Sequence, residues 1–288
     1  MVIRTNTNIT PYWESVKKMI KESDVALEVL DARLVDNSRN EQLERMIKNV
    51  GRPMIYVINK ADLVSRQALD LAIDKLRDET HGDVVFVAKN KTHTIKNLLA
   101  QIKKVFAKHG KGEKEIYNKF TPKVERKHRV TKGDIIVSVL GYPNVGKSSL
   151  INSMAFKKKA KVSIKAGTTH GVHWIKASDE IKLIDTPGVI PLKHNDQMKL
   201  GLMGSKNPEK LKDPSAVAAK IIEMFLNAKK KNELEKFYKV KIEDGLHAYE
   251  ILEAIGLARS HLKKGGVVDE ARTSVMVVRD WQNGKLKL

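Results

Sequence analysis

The sequence predicts an α/β fold, a mostly parallel sheet flanked by helices, followed by a small all-helical C-terminal domain. Three observations carry this. Short β-branched runs alternate with helix-period stripes over residues 1–107, the alternation restarts at residue 134, and beyond Pro191 the apolar residues keep helical spacing alone.

Taken in order, Val25–Leu30, Met54–Ile58 and Val84–Val87 read as strands. Between the last two, Ser65 caps a helix in which Leu69, Ile73 and Leu76 recur at three- to four-residue spacing. Ile95, Leu98, Leu99, Ile102 and Phe106 form a second stripe of that kind. Residues 108–133 break the rhythm with Gly110, Gly112, Pro122 and Gly133 among their lysines, the composition of a connection. Ile135–Leu140 is an apolar run feeding a glycine-rich turn and a helix from about Lys147, and Val172–Lys176 with Ile181–Ile184 suits a hairpin. Asp213-Pro214 is a cap followed by proline, the start of a helix with Val217, Ile221, Met224 and Phe225 on one face. Leu246, Tyr249, Leu252 and Ile255 mark another helix.

The turn after Leu140 reads Gly141-Tyr-Pro-Asn-Val-Gly146-Lys147-Ser148, which fits G-x-x-x-x-G-K-[ST] between a strand and a helix. That pattern cradles phosphates: its glycines let backbone N–H groups curl around phosphate oxygens, and the helix N-terminus adds its positive end. Asn144, Val145, Gly146, Lys147, Ser148 and Ser149 are the expected contacts, with Lys147 reaching the β and γ phosphates and Ser148 ligating Mg²⁺. Downstream, Asp185-Thr-Pro-Gly188 ends a strand. Asp185 is expected to hold the Mg²⁺ through water and the Gly188 N–H to sense the γ-phosphate. Between the two motifs, Thr169 is the candidate hydroxyl for closing over Mg²⁺ in the triphosphate state.

Asn59-Lys60-Ala61-Asp62 follows the run Met54–Ile58 and so lies at the C-terminal end of a strand, where open α/β sheets bind ligands. The Asp62 carboxylate can accept from guanine N1–H and its 2-amino group, a donor pair that adenine lacks. Asn59 would tether the base edge to the phosphate loop, and the Lys60 stem would cover one ring face. After the next strand, Ala88-Lys89 offers the Ala88 N–H to guanine O6. In the familiar GTPase order the phosphate loop comes first and N-K-x-D comes later, whereas here N-K-x-D precedes the loop by some eighty residues. The domain therefore reads as a circularly permuted Ras-like P-loop GTPase domain. Residues 1–107 are its base-recognition half, 108–133 a basic connection and 134–195 its phosphate-binding half, with residues 196–288 forming the helical domain.

The chain of 288 residues carries 54 Lys+Arg against 34 Asp+Glu, a formal charge of +20, which points to a polyanionic partner. The excess is concentrated: residues 1–102 are only +2, whereas 103–132 are +8 and 151–178 are +6. The absence of cysteine excludes disulfide scaffolds, thiol catalysis and Cys-ligated zinc. No stretch approaches the roughly 18 apolar residues that a membrane span needs, so a cytoplasmic protein is expected.

These residues together resemble the YlqF/RbgA/YawG group of circularly permuted ribosome-assembly GTPases. Asp31-Ala32-Arg33 and Ser38-Arg39-Asn40 are similar to the group's D-A-R and S-R-N signature, as G-Y-P-N-V-G-K-S-S and D-T-P-G-V-I are to its later motifs. The resemblance implies a Ras-like G domain followed by a helical RNA-binding domain. It implies a GTPase that matures the large ribosomal subunit through ribosomal RNA, stimulated by that subunit and by K⁺, and monomeric off the ribosome. It further implies that Asn144 coordinates K⁺. Lys147, Asn144, Thr169 and Gly188 are then the residues acting on the γ-phosphate. Val189 stands where Ras-like enzymes place the water-orienting Gln, so slow intrinsic hydrolysis is expected. His170 and His173 lie near that segment, either as replacements or as ordinary loop residues. Two other readings stay open: an RNA-binding protein that uses GTP only as a regulatory ligand, and an ATP-dependent enzyme, against which Asn59 and Asp62 argue.

Overall fold

The computed structural model describes residues 10–109, 134–155, 173–185 and 196–288. Strands β1 (Val25–Asp31), β2 (Met54–Asn59), β3 (Asp83–Phe86), β4 (Ile135–Leu140), β5 (His173–Lys176) and β6 (Ile181–Asp185) form one sheet in the order β3-β2-β1-β4-β6-β5. All neighbours run parallel except β5, which pairs antiparallel with β6 as the expected hairpin. Every residue of β1 is buried, as a central strand covered on both faces requires.

Alternation along β1 sorts the layers. Val25, Leu27 and Val29 pack with Leu98 and Ile102 of α5 (Thr92–His109) and with Leu150 and Ile151 of α6 (Lys147–Met154). On the opposite face Ala26 meets Val16 and Ile20 of α1 (Thr10–Glu22) and Leu43 and Ile47 of α3 (Glu41–Val50). Leu30 there meets Leu69, Ile73 and Leu76 of α4 (Arg66–Thr80). A single turn, α2 (Val35–Ser38), joins β1 to α3. Local chemistry sets the ends. The Ser65 and Asn40 side chains accept from the Ala68 and Leu43 N–H groups to start α4 and α3, and Gly51 closes α3 in the left-handed region at φ 74°.

The C-terminal part is α7 (Gln197–Leu202), α8 (Pro214–Asn227), α9 (Lys231–Tyr238), α10 (Ala248–Ala258) and α11 (Glu270–Gln282). Asp213 caps α8 at the Ala216 N–H with Pro214 in its first turn. Val217, Ile221 and Phe225 are buried, and the Phe225 ring meets Trp281 edge-on at 6.4 Å. Two sequence expectations need correction. Tyr249 faces solvent, because Ile251 takes the buried position on α10 beside Leu252 and Ile255, and α1 and α3 have no counterpart in the sequence reading. The apolar cluster on the α5–α6 face continues into the helical part, and the Leu288 N–H donates to the Leu63 carbonyl, so the chain's last residue lies against the loop after β2.

Candidate functional site

The N-K-A-D segment and the glycine-rich turn come together at the C-terminal ends of β2 and β4. Asn59, nearly buried, donates through Nδ2 to the Val145 carbonyl at 2.9 Å, which ties the two motifs across 86 positions of sequence. Lys60 donates from Nζ to the Asn144 carbonyl at 2.6 Å and to Asp31 Oδ2 at 2.8 Å. The loop needs its glycines. At φ 138° a Cβ on Gly141 would lie 2.6 Å from the Val29 carbonyl, and on Gly146, at φ 97°, it would collide with the Asn59 amide. Lys147 curls over its own loop, donating to the Gly141 and Tyr142 carbonyls at 2.9 and 2.7 Å. Ser148 and Ser149 are exposed at the start of α6. These groups open on a cleft of about 480 Å³, lined also by Arg33, Gly204 and Gln282.

On the base side, Asp62 Oδ1 accepts from the Lys89 N–H at 2.8 Å, so the two segments expected to frame a base touch each other. The Ala88 N–H is donated to Thr94 Oγ1 at 3.3 Å. Ala88 is therefore not presented as an unengaged donor for guanine O6, and that assignment requires the Thr94 bond to be exchanged. Asn144, given to K⁺ by resemblance, donates from Nδ2 to the Gly204 carbonyl of the helical part, which leaves Oδ1 for a cation. Asp185 is placed by its backbone at the end of β6, paired with His173 of β5. Thr169, Gly188, Val189 and His170 lie outside the described residues, as do residues 156–172 of the basic stretch 151–178 and most of the basic connection.

Sequence reasoning missed a charged network behind the phosphate loop. Asp31 ends β1 beside Asn59, with the Ala32 N–H donating to the Asn59 carbonyl at 2.9 Å. Arg33 grips Asp31 through Nε and Nη2 at 3.0 and 2.9 Å, donates from Nη1 to the Trp281 carbonyl at 2.5 Å, and stacks 4.1 Å from that residue's ring. Trp281 in turn donates from Nε1 to the Leu202 carbonyl, and Gln282 from Nε2 to the Gly201 carbonyl, both at 2.9 Å. Burial works against the Asp31 charge, but the Arg33 hydrogen bonds and the two cations outweigh it and hold the carboxyl below its ordinary range. Two cations share one anion. Lys60 loses by it: burial, aided by repulsion from Arg33, pulls its ammonium below the ordinary value against the pull of Asp31. The D-A-R tripeptide was the signal available, since it ends a strand adjacent to the one carrying N-K-A-D.

Among the described residues no group of three His, Cys, Asp or Glu could hold a metal ion.

A family profile described as 50S ribosome-binding GTPase matches residues 136–252, beginning inside β4, the strand that leads into the phosphate loop. Ribosome biogenesis GTPase A of Bacillus cereus is 32% identical over 282 residues, covering 94% of this chain and 86% of its own length. The chain belongs to the ribosome biogenesis GTPase A family. A Methanocaldococcus jannaschii protein named only as an uncharacterized GTP-binding protein is 36% identical over 96% of this chain, which spans 66% of that relative's length. A structure of YlqF from T. maritima shares the fold at a TM-score of 0.56 and 18% identity, with 96% of this chain and 95% of that one covered. For a ribosome biogenesis GTPase A, the order of elements is the permuted one: the strand before N-K-A-D precedes the strand before the phosphate loop, yet the two lie one strand apart in the sheet. Among the described residues no helix is long and apolar enough to cross a membrane.

Proposed function

We propose that this chain is a GTP-binding and GTP-hydrolysing switch in the maturation of the large ribosomal subunit, with ribosomal RNA as the polyanion that its +20 charge addresses. The observation that supports the reading is the junction of Asn59 and Lys60 with the phosphate-loop carbonyls, because it joins the segment that carries Asp62, the candidate reader of guanine, to the loop of the cleft that Lys147 and Ser148 line. Asp62 would read the base, the Lys60 stem would cover it, and the N–H groups from Asn144 to Ser149 would hold the phosphates. Mg²⁺, held by Ser148, Asp185 and Thr169, would neutralise charge on the β and γ oxygens. Asn144 Oδ1 is the atom through which K⁺ would be held, and the Gly188 N–H would report the γ-phosphate.

Two measurements test this. Fluorescent GDP should bind the free protein and be displaced by GTP but not by ADP. Single-turnover phosphate release should be slow alone and accelerate with large-subunit precursor particles in K⁺ more than in Na⁺. Binding without acceleration under any of these conditions would leave an RNA-binding protein for which GTP is only a ligand. Equal displacement by ADP would remove the guanine reading.

A further inference from the structure

The base-recognition half carries a net charge of only +2 over residues 1–102, yet its cations are not evenly compensated. Arg39 is paired with Glu44 and Glu79, Lys75 with Asp36, Arg66 with Asp70, and Arg33 and Lys60 with Asp31. Those pairs engage five of the fourteen acids in residues 1–102. Between α1 and α3, a groove of about 850 Å³ is walled by Lys17, Lys21, Arg45 and Arg52 and has no carboxylate in its lining. Lys17 and Lys21 have no ion-pair partner among the described residues. Arg45 touches only Glu41 of its own helix, at 3.4 Å with both side chains more than 70% exposed, a contact worth little. Arg52 donates from Nη2 to the Lys21 carbonyl, while its buried Nε has no partner. Gln42 and Asn49 add amide donors beside the cations, and Met46 and Val50 give the groove apolar wall.

We propose that this groove is a binding site for the sugar–phosphate backbone of RNA. The inference rests on the ribosomal-RNA reading above and adds a surface that the distribution of charge along the sequence does not reveal. Lys17 and Lys21 stand one helical turn apart, about 6 Å along α1, and Arg45 and Asn49 are spaced likewise on α3, so two rows of donors flank the groove. Phosphodiester oxygens satisfy such donors repeatedly, and the apolar wall suits sugar and base faces. An acidic protein segment could match the charge. RNA is favoured because the same chain carries +8 over 103–132 and +6 over 151–178, so its natural partner presents a long regular run of negative charge.

The test uses the full chain and a fluorescein-labelled RNA hairpin of arbitrary sequence, with anisotropy followed from 50 to 300 mM KCl. Removing two phosphate contacts in K17Q/K21Q should lower the slope of log K against log[salt] by about 1.4–1.8, which is roughly 25- to 60-fold in affinity at 0.1 M. K75Q, whose lysine is paired, should leave the slope unchanged, and all three proteins should bind fluorescent GDP alike. If wild type and K17Q/K21Q bind the hairpin with the same slope, the groove assignment fails while the RNA reading stands. If wild type binds no hairpin, both fail. Polyglutamate binding that is lost in K17Q/K21Q at unchanged hairpin slope would give the groove to an acidic protein instead.

Discussion

Replacing Arg33 by methionine keeps an unbranched stem and removes the guanidinium, which isolates the charge network behind the phosphate loop. Arg33 and Asp31 side chains are both 2% exposed, so Arg33→Met leaves a buried carboxylate that has lost both bonds from its bidentate partner. Breaking a buried pair from one side costs about 3–5 kcal/mol. Lys60 stays within 2.8 Å of Asp31 and covers part of the loss, which sets the expectation near about 3 kcal/mol. At about 2–4 °C per kcal/mol for a chain of this size, Tm should fall by about 6–12 °C. The coupling across to the helical part is measured by a double-mutant cycle with Trp281→Leu, read by urea unfolding. The desolvated guanidinium–ring contact predicts an interaction energy of about 1–2 kcal/mol. Effects that add to within about 0.5 kcal/mol, or an Arg33→Met melt within about 2 °C of wild type, would show that Arg33 does not join the two parts.

Asp62→Asn exchanges an acceptor pair for an amide and should weaken GDP binding by roughly 10- to 100-fold while leaving Tm of the free protein nearly unchanged; equal affinity would mean that Asp62 does not read the base. Gly146→Ala places a Cβ against the Asn59 amide at a φ of 97°, so titration calorimetry should show GDP affinity reduced by more than about tenfold, with the phosphate loop pushed from Asn59. Glu28, fully buried in β1 with Oε2 unpartnered, has its carboxyl pushed well above the ordinary value by burial, and then by Glu44. A raised native pKa means that its contribution is intact below the unfolded value, about 4.3, and is lost as pH rises through the native one. Glu28→Gln should therefore gain progressively on wild type as pH rises above the unfolded value of about 4.3, by up to about 1.4 kcal/mol per pH unit until the native carboxyl ionises. A pH-independent difference would exclude ionisation of Glu28 as the cause.

The parallel sheet was legible because β1, β2 and β4 are largely buried on both faces and so are mostly apolar runs, interrupted internally only by Glu28 and Ser138, a pattern that needs no tertiary information. The motifs were legible for a different reason: phosphate and guanine demand fixed residue types at fixed spacing, and Asn59 and Gly146 meet that demand wherever the chain is cut. Asp31, Arg33 and Trp281 were not legible as a unit, since a bond spanning 248 positions leaves no local periodicity. The groove between α1 and α3 was hidden by summation. Its cations are adjacent only after folding, and none of the acids that cancel them in the count lines it.

Arg33 belongs to the first tenth or so of the chain, and the carbonyl it grips belongs to the last few per cent, as does Leu288, whose carbonyl accepts from the Ser65 N–H just after Asp62. During synthesis the two are separated by 248 residues, roughly 12–50 s at roughly 5–20 residues per second. The strand bearing N-K-A-D thus leaves the ribosome early but waits for α11 before its surroundings are complete. A nascent chain has Asp31 and Lys60 without the Trp281 carbonyl that fixes Arg33, so a fully supported nucleotide pocket waits for α11. Chains that lack α11 should consequently carry a loosened pocket, and nucleotide occupancy becomes a report on whether α11 has been made and docked.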